Sequence, residues 1–342
     1  PDTVYACMDD HKTGDYSPYV VKSTDRGRTW ELMIGELPAN HICWRIVQDH
    51  VNPKLFFLAT EFGIFSTLNE GEKWFKLGGG LPTISFRDLE IQRREDDLVA
   101  ASFGRSFFVL DDYSLLRHAT EEALSEDVHL FPVRRTFWYV QNNMLGGKKG
   151  FQGDSLYNAP NPDYGTVIRY HVKEDWKSKA AIRKEKEAKI RKAGGDVPTP
   201  SFEDLQAEQD EIPPRHYLDI ADRAGTVVAR LDLSTGKGIH QVVWGMRYQG
   251  LLLRGGGPLV APGKYTAQAF RSEGAEATAV GNQVDFELES IVKPTLPLPD
   301  RDAILAQIEQ IGLVANRSQS LSRKLDDKLE EVAQLITRIK NH

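Results

Sequence analysis

Five polar residues in the first 105 positions carry side chains that could act on a sugar. The catalytic candidates are Asp10, Glu61 and Arg105, and the binding candidates are His11 and Arg87. Hydrolysis of a glycosidic bond needs two carboxylates about 5–5.5 or 6.5–9.5 Å apart, and an acidic sugar needs a cluster of arginines. Each candidate also has a structural explanation, such as pairing of Glu61 with Arg105 or the fastening of a loop by Asp10.

Other common chemistries leave no pattern in the sequence. The histidines and the two cysteines lack the spacing of a zinc site, and no calcium-loop pattern is present. Lys148 and Lys149 lie among glycines, but their spacing differs from that of a phosphate-binding loop. A Ser-His-Asp triad assembles only in space, so no such triad can be recognised from spacing. We therefore expect no metal and no cofactor.

The clearest motif is the octapeptide from Ser23 to Trp30, which reads S-x-D-x-G-x-T-W, the pattern of an Asp-box. Asp25 can accept hydrogen bonds from backbone N–H groups of its own turn. Gly27 can adopt the positive φ that a tight hairpin needs. Trp30 begins the returning strand, and we expect its ring to pack between sheets.

The motif recurs from Thr67 to Trp74, with Asn69 and Gly71 in the places of the aspartate and the glycine. The tryptophans of the two motifs are 44 residues apart. A repeat of about 40–45 residues built from short strands is typical of a β-propeller blade. The motif residues are therefore predicted to fasten turns rather than to catalyse a reaction.

The short strand-like runs around these motifs assign residues 1–117 to the last blades of a β-propeller. They supply fewer than three blades, whereas closed propellers have about four or more. An open arc would leave apolar sheet faces bare. We therefore expect upstream blades to complete the ring, contributed by the same polypeptide or by a separate chain.

The sequence pattern divides the rest of the chain into three further segments. The fold as a whole is predicted to be mainly β. Residues 118–164 form a linker or transition. Residues 165–292 have the short strands and Gly/Pro turns of an immunoglobulin-like β-sandwich, with a charged helical hairpin inserted at 173–212. Residues 300–342 predict a C-terminal helical hairpin with a bend at 318–322. Its amphipathic stripe would bury against the sandwich, its partner helix or another subunit, so an oligomer is one expectation.

Composition excludes some classes of function. The chain of 342 residues has a net charge of −6 and a pI of about 5.9, which argues against a nucleic-acid binder. The chain has no run of 18 apolar residues, so no membrane span is predicted, and no signal peptide is visible. Cys7 and Cys43 lie in strand-like runs. The sequence is compatible with a buried pair of free thiols and with a disulfide between neighbouring strands.

Several stretches resemble bacterial Asp-box repeat proteins, the BNR-repeat group with sortilin- or xyloglucanase-like propellers. They are the two Asp-boxes, residues 55–63, 87–88 and 103–112 in the propeller part, and residues 243–248 and 257–266 in the sandwich part. The resemblance implies an extracytoplasmic protein that is periplasmic, outer-surface or secreted. Such proteins are often labelled glycosyl hydrolases, although one fold hosts many functions.

Three functions follow as hypotheses. The first is a binding or scaffold protein that presents its propeller and sandwich to a glycan, a peptide or a protein partner; the lack of a recognisable catalytic set favours it. The second is a glycoside hydrolase of sialidase or xyloglucanase type, which needs two carboxylates facing one pocket. The third is sortilin-like capture of a peptide in the propeller tunnel, which apolar tunnel walls would favour.

Overall fold

The computed structural model describes residues 2–140, 163–249, 257–274, 276–291 and 301–340. The fold is mainly β and divides into two compact units, which we call the N-terminal unit (Pro1–Ala123) and the C-terminal unit (Leu124–His342). Lys148, Lys149 and the proline-rich segment 294–299 lie outside the described residues.

The N-terminal unit contains three antiparallel sheets that follow one another along the chain. The first sheet contains β1 (Val4–Asp10), β2 (Asp15–Ser23) and β3 (Glu31–Leu32). The second contains β4 (Cys43–Gln48), β5 (Phe56–Thr60), β6 (Gly63–Thr67) and β7 (Phe75–Lys76). The third contains β8 (Phe86–Gln92), β9 (Asp97–Ser102) and β10 (Phe107–Leu110). Consecutive strands pair in every sheet, so each sheet is a meander. A 3₁₀ helix (Tyr113–Arg117) and the short helix α1 (Glu121–Ser125) follow.

The two central strands of the middle sheet are buried on both faces. Every residue of β5 and β6 is buried. Phe56 and Leu58 belong to the core that this sheet shares with the first sheet. Leu55, Phe57 and Ala59 belong to the core that it shares with the third sheet. Because side chains alternate across a strand, these two sets point to opposite faces, and each face is covered by a neighbouring sheet.

The first and third sheets are covered less completely. Val4 and Met8 of β1 are exposed. On β10, at the edge of the third sheet, Phe107 is 71% exposed and Val109 is also exposed. The described part of the N-terminal unit therefore leaves apolar side chains in solvent on both outer sheets.

A buried ion pair ties the end of the N-terminal unit to its turns. The Asp49 carboxylate, after β4, accepts hydrogen bonds from Arg117 Nε at 2.8 Å, from Arg117 Nη2 at 2.7 Å and from the Tyr113 hydroxyl at 2.6 Å. Arg117 also donates to Asp96, before β9, at 2.7 and 3.1 Å. Burial raises the pKa of Asp49, but the hydrogen bonds from Arg117 and Tyr113 outweigh it and lower the pKa to about 2. This pKa is below the value of about 3.9 in the unfolded chain, so the ionised Asp49 stabilises the folded unit. The stabilisation is complete above about pH 4 and is lost as the pH falls towards 2.

The C-terminal unit builds one core from two sheets. Its strands are β11 (Val128–Leu130), β12 (Thr136–Trp138), β13 (Thr166–Val172), β14 (Arg215–Ala221), β15 (Val227–Leu233), β16 (Gly238–Trp244), β17 (Gly263–Glu273) and β18 (Glu276–Ser290). The smaller sheet has the order β11-β13-β16 and the larger β12-β18-β17-β14-β15. Ile168 and Trp244 from the smaller sheet share the core with Leu218, Ala267 and Phe286 from the larger.

The C-terminal unit begins earlier in the chain than the sequence predicts. Strands β11 and β12 lie within residues 118–164, which the pattern marks as a transition, yet both pair in the sheets of this unit. Each has three residues, too few to show an alternating pattern.

Asn282 of β18 fixes β11 through its amide group: Leu130 N donates to Asn282 Oδ1 at 2.8 Å, and Asn282 Nδ2 donates to the Leu130 carbonyl at 2.9 Å.

Helices α2 (Lys179–Lys192) and α3 (Phe202–Gln209) occupy the insertion at 173–212. Arg183 of α2 donates to both carboxylate oxygens of Glu208 of α3, at 2.6 and 2.9 Å, which joins the helices as a charged hairpin.

The C-terminal helix α4 (Arg301–Lys340) is continuous, so the predicted helical hairpin and its bend at 318–322 are wrong. That segment contains neither glycine nor proline. Serine weakens a helix by less than about 0.7 kcal/mol per residue, so the three serines of this segment do not interrupt it.

We predict that Arg117→Ala destabilises the N-terminal unit by about 3–5 kcal/mol, because it leaves the Asp49 carboxylate buried without its cation. Hydrogen exchange of the β5 and β8 amides measures this loss. The control Arg94→Ala removes an exposed pair with Glu95 and should cost less than about 0.5 kcal/mol. Equal amide protection in the two variants would show that the buried pair does not stabilise the unit.

Candidate functional site

Both Asp-boxes fold into the same hairpin turn. Gly27 and Gly71 have positive φ values of 86° and 85°. In each turn the glycine amide donates to the hydroxyl that opens the motif, from Gly27 to Ser23 at 2.8 Å and from Gly71 to Thr67 at 3.0 Å. Glycine adopts this left-handed conformation without the steric cost that a Cβ brings.

The third motif position accepts backbone hydrogen bonds in both turns. Asp25 Oδ1 accepts from the amides of Arg28 and Thr29 at 2.9 and 2.8 Å. Asn69 Oδ1 accepts from the amide of Lys73 at 3.0 Å. The backbone and side-chain hydrogen bonds from Thr29 lower the pKa of Asp25 to about 2. These oxygens accept hydrogen bonds from backbone amides of their own turns, which fits a role in fastening the turns.

The two motif tryptophans lie in different environments. Trp74 is 6% exposed, shares a core with the first sheet and donates from Nε1 to the Met33 carbonyl at 3.3 Å. Trp30 is 45% exposed and donates to the Gly27 carbonyl of its own turn at 3.1 Å. The expectation that Trp30 packs between sheets is therefore wrong here. Trp74 has a preceding sheet to pack on, whereas no described sheet precedes that of Trp30.

A second group of side chains lies at the opposite ends of the strands. In a meander, the β1–β2, β5–β6 and β9–β10 turns face the end opposite to the Asp-boxes. At this end six side chains from the three sheets come together, and we call them the aromatic–arginine cluster: His11, Trp44, Glu61, Ser85, Arg87 and Phe103. Trp44 and Arg87 hold the second positions of β4 and β8.

The centre of the cluster is a guanidinium between two rings. Arg87 Cζ lies 3.6 Å from the ring centroid of Trp44 and 5.2 Å from that of Phe103, both within the range of a cation–π interaction. Glu61 Oε2 accepts hydrogen bonds from Trp44 Nε1 and Ser85 Oγ, each at 2.9 Å, and lies 3.8 Å from Arg87 Nη2. Glu61 therefore orients both the indole and the guanidinium.

The cluster contains three of the five candidates from the sequence. Glu61 and Arg87 meet directly, and the His11 ring lies 6.0 Å from Trp44 and pairs with Asp9. The described contacts pair Glu61 with Arg87 rather than with Arg105, contrary to the expectation.

The other two candidates do not join the described contacts of the cluster. Asp10 is exposed, and its backbone carbonyl, not its carboxylate, accepts from the Thr13 hydroxyl at 2.9 Å. The Asp10 carboxylate does not cap the following 3₁₀ turn, so it does not fasten that turn as expected. Arg105 is exposed in the β9–β10 turn.

Sequence reasoning missed Trp44, Ser85 and Phe103. Phe103 lies in the turn after the second strand of its sheet, as Glu61 does in the middle sheet, and the repeat brings these turns to one end. Trp44 and Arg87 both hold the second position of the first strand of their sheet. Aligning the repeats by their strands, in addition to their Asp-boxes, could have found Trp44 and Phe103.

Cys7 and Cys43 are free thiols, and burial raises the pKa of each to about 12. Within the described ranges, no three His, Cys, Asp or Glu side chains converge in a way that could hold a metal ion. In that same part of the chain, no helix has both the length and the apolar character needed to cross a bilayer.

Comparison with known proteins finds no matching family model and no matching curated protein. Among solved structures, the chain is similar to the extracellular domain of a hybrid two-component system from B. thetaiotaomicron, with 8% identity, a TM-score of 0.27, and coverage of 84% of this chain and 30% of that one. It is also similar to an ancestral GH74 enzyme, with 12% identity, a TM-score of 0.26, and coverage of 50% and 24%. A third neighbour is the extracellular domain of a one-component system from B. thetaiotaomicron, with 10% identity, a TM-score of 0.24, and coverage of 84% and 31%. The chain thus spans less than a third of the length of these structures.

We predict that Thr29→Val raises the pKa of Asp25 from about 2 towards the ordinary value of about 3.9, because it removes one donor to the carboxylate. Carboxyl ¹³C titration by NMR measures the shift. The stabilisation from Asp25 should disappear as the pH falls from about 4 to about 2. Thr13→Val, whose hydroxyl donates to a carbonyl, is the control and should leave Asp25 unchanged. An ordinary pKa for Asp25 in the unmodified protein would contradict the hydrogen-bonding scheme.

Proposed function

We propose that the three sheets of the N-terminal unit are the terminal blades of an Asp-box β-propeller. The burial of β5 and β6, the central strands of the middle sheet, on both faces supports this, because propeller blades are sheets arranged radially around an axis. The exposed Met8 on the first sheet and Phe107 on the third support further blades on both flanks, from the same polypeptide or from a separate chain.

We propose an immunoglobulin-like β-sandwich for the C-terminal unit. Two sheets that share one apolar core support this. The parallel pairing of β12 with β18 departs from a purely antiparallel sandwich.

For the whole protein, we propose an extracytoplasmic, non-catalytic binding protein whose aromatic–arginine cluster contacts a glycan. The observation that carries this proposal is the Arg87 guanidinium held 3.6 Å from the Trp44 ring centroid, beside the 70% exposed ring of Phe103. A guanidinium offers planar N–H donors to hydroxyl and carboxylate oxygens, and an aromatic ring offers an apolar face to a sugar ring. The Asp-box resemblance supports the extracytoplasmic location.

Binding fits the cluster better than glycoside hydrolysis. Hydrolysis needs a second carboxylate at about 5–9.5 Å from the first, with room for a sugar between them. The contacts described for Glu61 are with an indole N–H, a hydroxyl and a guanidinium, all of them donors. The carboxylate is therefore used to position Trp44 and Arg87.

Capture of an apolar peptide in a propeller tunnel has less support. The tunnel of such a fold would be lined by the first strand of each blade, here β4 and β8. Arg45 of β4 and Asp88 of β8 are exposed and pair at 3.3 Å, and Glu90 of β8 is also exposed. Charged side chains on these strands do not form the apolar wall that the hypothesis needs.

We predict that Arg87→Ala and Phe103→Ala each weaken glycan binding at least about tenfold, because each removes one side of the contact surface. The measurement is binding to an array of neutral and acidic oligosaccharides, followed by titration of the best ligand. Arg26→Ala is the control, since Arg26 lies in an Asp-box turn at the other end of its sheet and pairs with Asp2 on the surface.

Circular dichroism of each variant separates loss of the site from loss of the fold. Binding that survives both substitutions unchanged would place the glycan elsewhere on the protein. An array with no ligand above background would reject the glycan as the partner.

A further inference from the structure

Helix α4 carries an apolar stripe that is exposed in the described structure. Ile311, Leu325, Leu329, Val332 and Ile336 recur along it, and between 47% and 61% of each is exposed. A soluble protein rarely leaves an aligned row of large aliphatic side chains in water, because their burial is the main driving force for association.

The spacing of the stripe is that of a coiled coil. Positions 308, 315, 322, 329 and 336 form one series at intervals of seven, and positions 311, 318, 325 and 332 form the second series, each three residues after the first. Alternate spacings of three and four average 3.5 residues, which keeps the stripe facing a second helix as the two supercoil. A helix that packed on a flat sheet would not need a seven-residue period. We call the residues of the two series the α4 seam.

No other described helix offers a matching seam. Helices α2 and α3 have no buried residues, and α2 is dominated by lysine, arginine and glutamate. Helix α3 has eight residues, so it could cover about a fifth of the 40 residues of α4. Within the described part of the chain, the α4 seam therefore has no complementary helix.

From this we infer that the α4 seam pairs with the same seam of a second copy of this chain. The second copy carries the same seven-residue period, so the two seams match without a further partner. The seam runs from residue 308 to residue 336, and at 1.5 Å per residue these 29 residues are about 43 Å long. A contact strip about 10 Å wide on each helix then gives a total of about 900 Å², the size of a weak interface whose population depends on concentration.

Small and large side chains occupy different parts of the seam. Ala315, Ser318 and Ser322 place small side chains in the middle of the seam, and the large aliphatic side chains lie towards its ends. Acidic and basic residues of both signs, such as Lys324 and Asp327, occupy positions outside the seam, so paired helices carry no large charge of one sign. This inference does not depend on the proposed glycan site.

The test is the molar mass of the full chain by size-exclusion chromatography with light scattering, between about 5 and 100 µM. We expect the mass to rise towards that of two copies as the concentration approaches 100 µM, and the double variant Leu325→Asp/Leu329→Asp should keep it at one copy. Ser320→Asp/Gln334→Asp introduces the same charges on the opposite side of the helix and is the matched control. It should keep the mass of the unmodified chain.

A second variant guards against loss of the helix. Leu325→Ala/Leu329→Ala preserves helix propensity, so it should weaken association while the helical circular dichroism is retained. A single-copy mass for the unmodified chain at 100 µM would overturn the inference. So would equal masses for the seam and control variants.

Discussion

The structure of the N-terminal unit depends on one constraint: strands β5 and β6 are mostly apolar and are buried on both faces. Such strands must be covered by protein on both faces, because exposing either apolar face to water costs free energy. The first and third sheets provide these two covers. This fixes the three sheets in a stack and determines which strand ends meet. The buried contact of Asp49 with Arg117 then ties the end of the unit to the same stack.

The aromatic–arginine cluster is a consequence of that stacking. Its members come from three sheets, and no sheet alone contains enough of them to form a site. Trp44 and Arg87 are carried by strands, and Glu61 fixes their orientation through contacts of 2.9 and 3.8 Å. A group of donors and rings held before a ligand arrives loses less conformational entropy on binding. This arrangement suits recognition, whereas catalysis at Glu61 would require its carboxylate to give up two hydrogen bonds and an ion pair.

The sequence predicts local features of this fold better than distant contacts. The Asp-box turns could be predicted because residues of one octapeptide make the hydrogen bonds. The environments of Trp30 and Trp74 could not, because burial depends on a neighbouring sheet. Arg117 lies 68 residues from Asp49, and the pairing of Glu61 with Arg87 needs two sheets in register. Strands β11 and β12 are too short to show a period, and the serines at 318–322 suggested a bend that helix propensity does not require.

The most direct test of the stacking is an experimental structure of the protein as its native host produces it. We expect further β-sheets packed against the first and third sheets, so that Val4, Met8, Phe107 and Val109 become buried. A structure in which these four side chains face solvent, with no sheet on either flank, would contradict the arc of blades and the propeller that we infer from it.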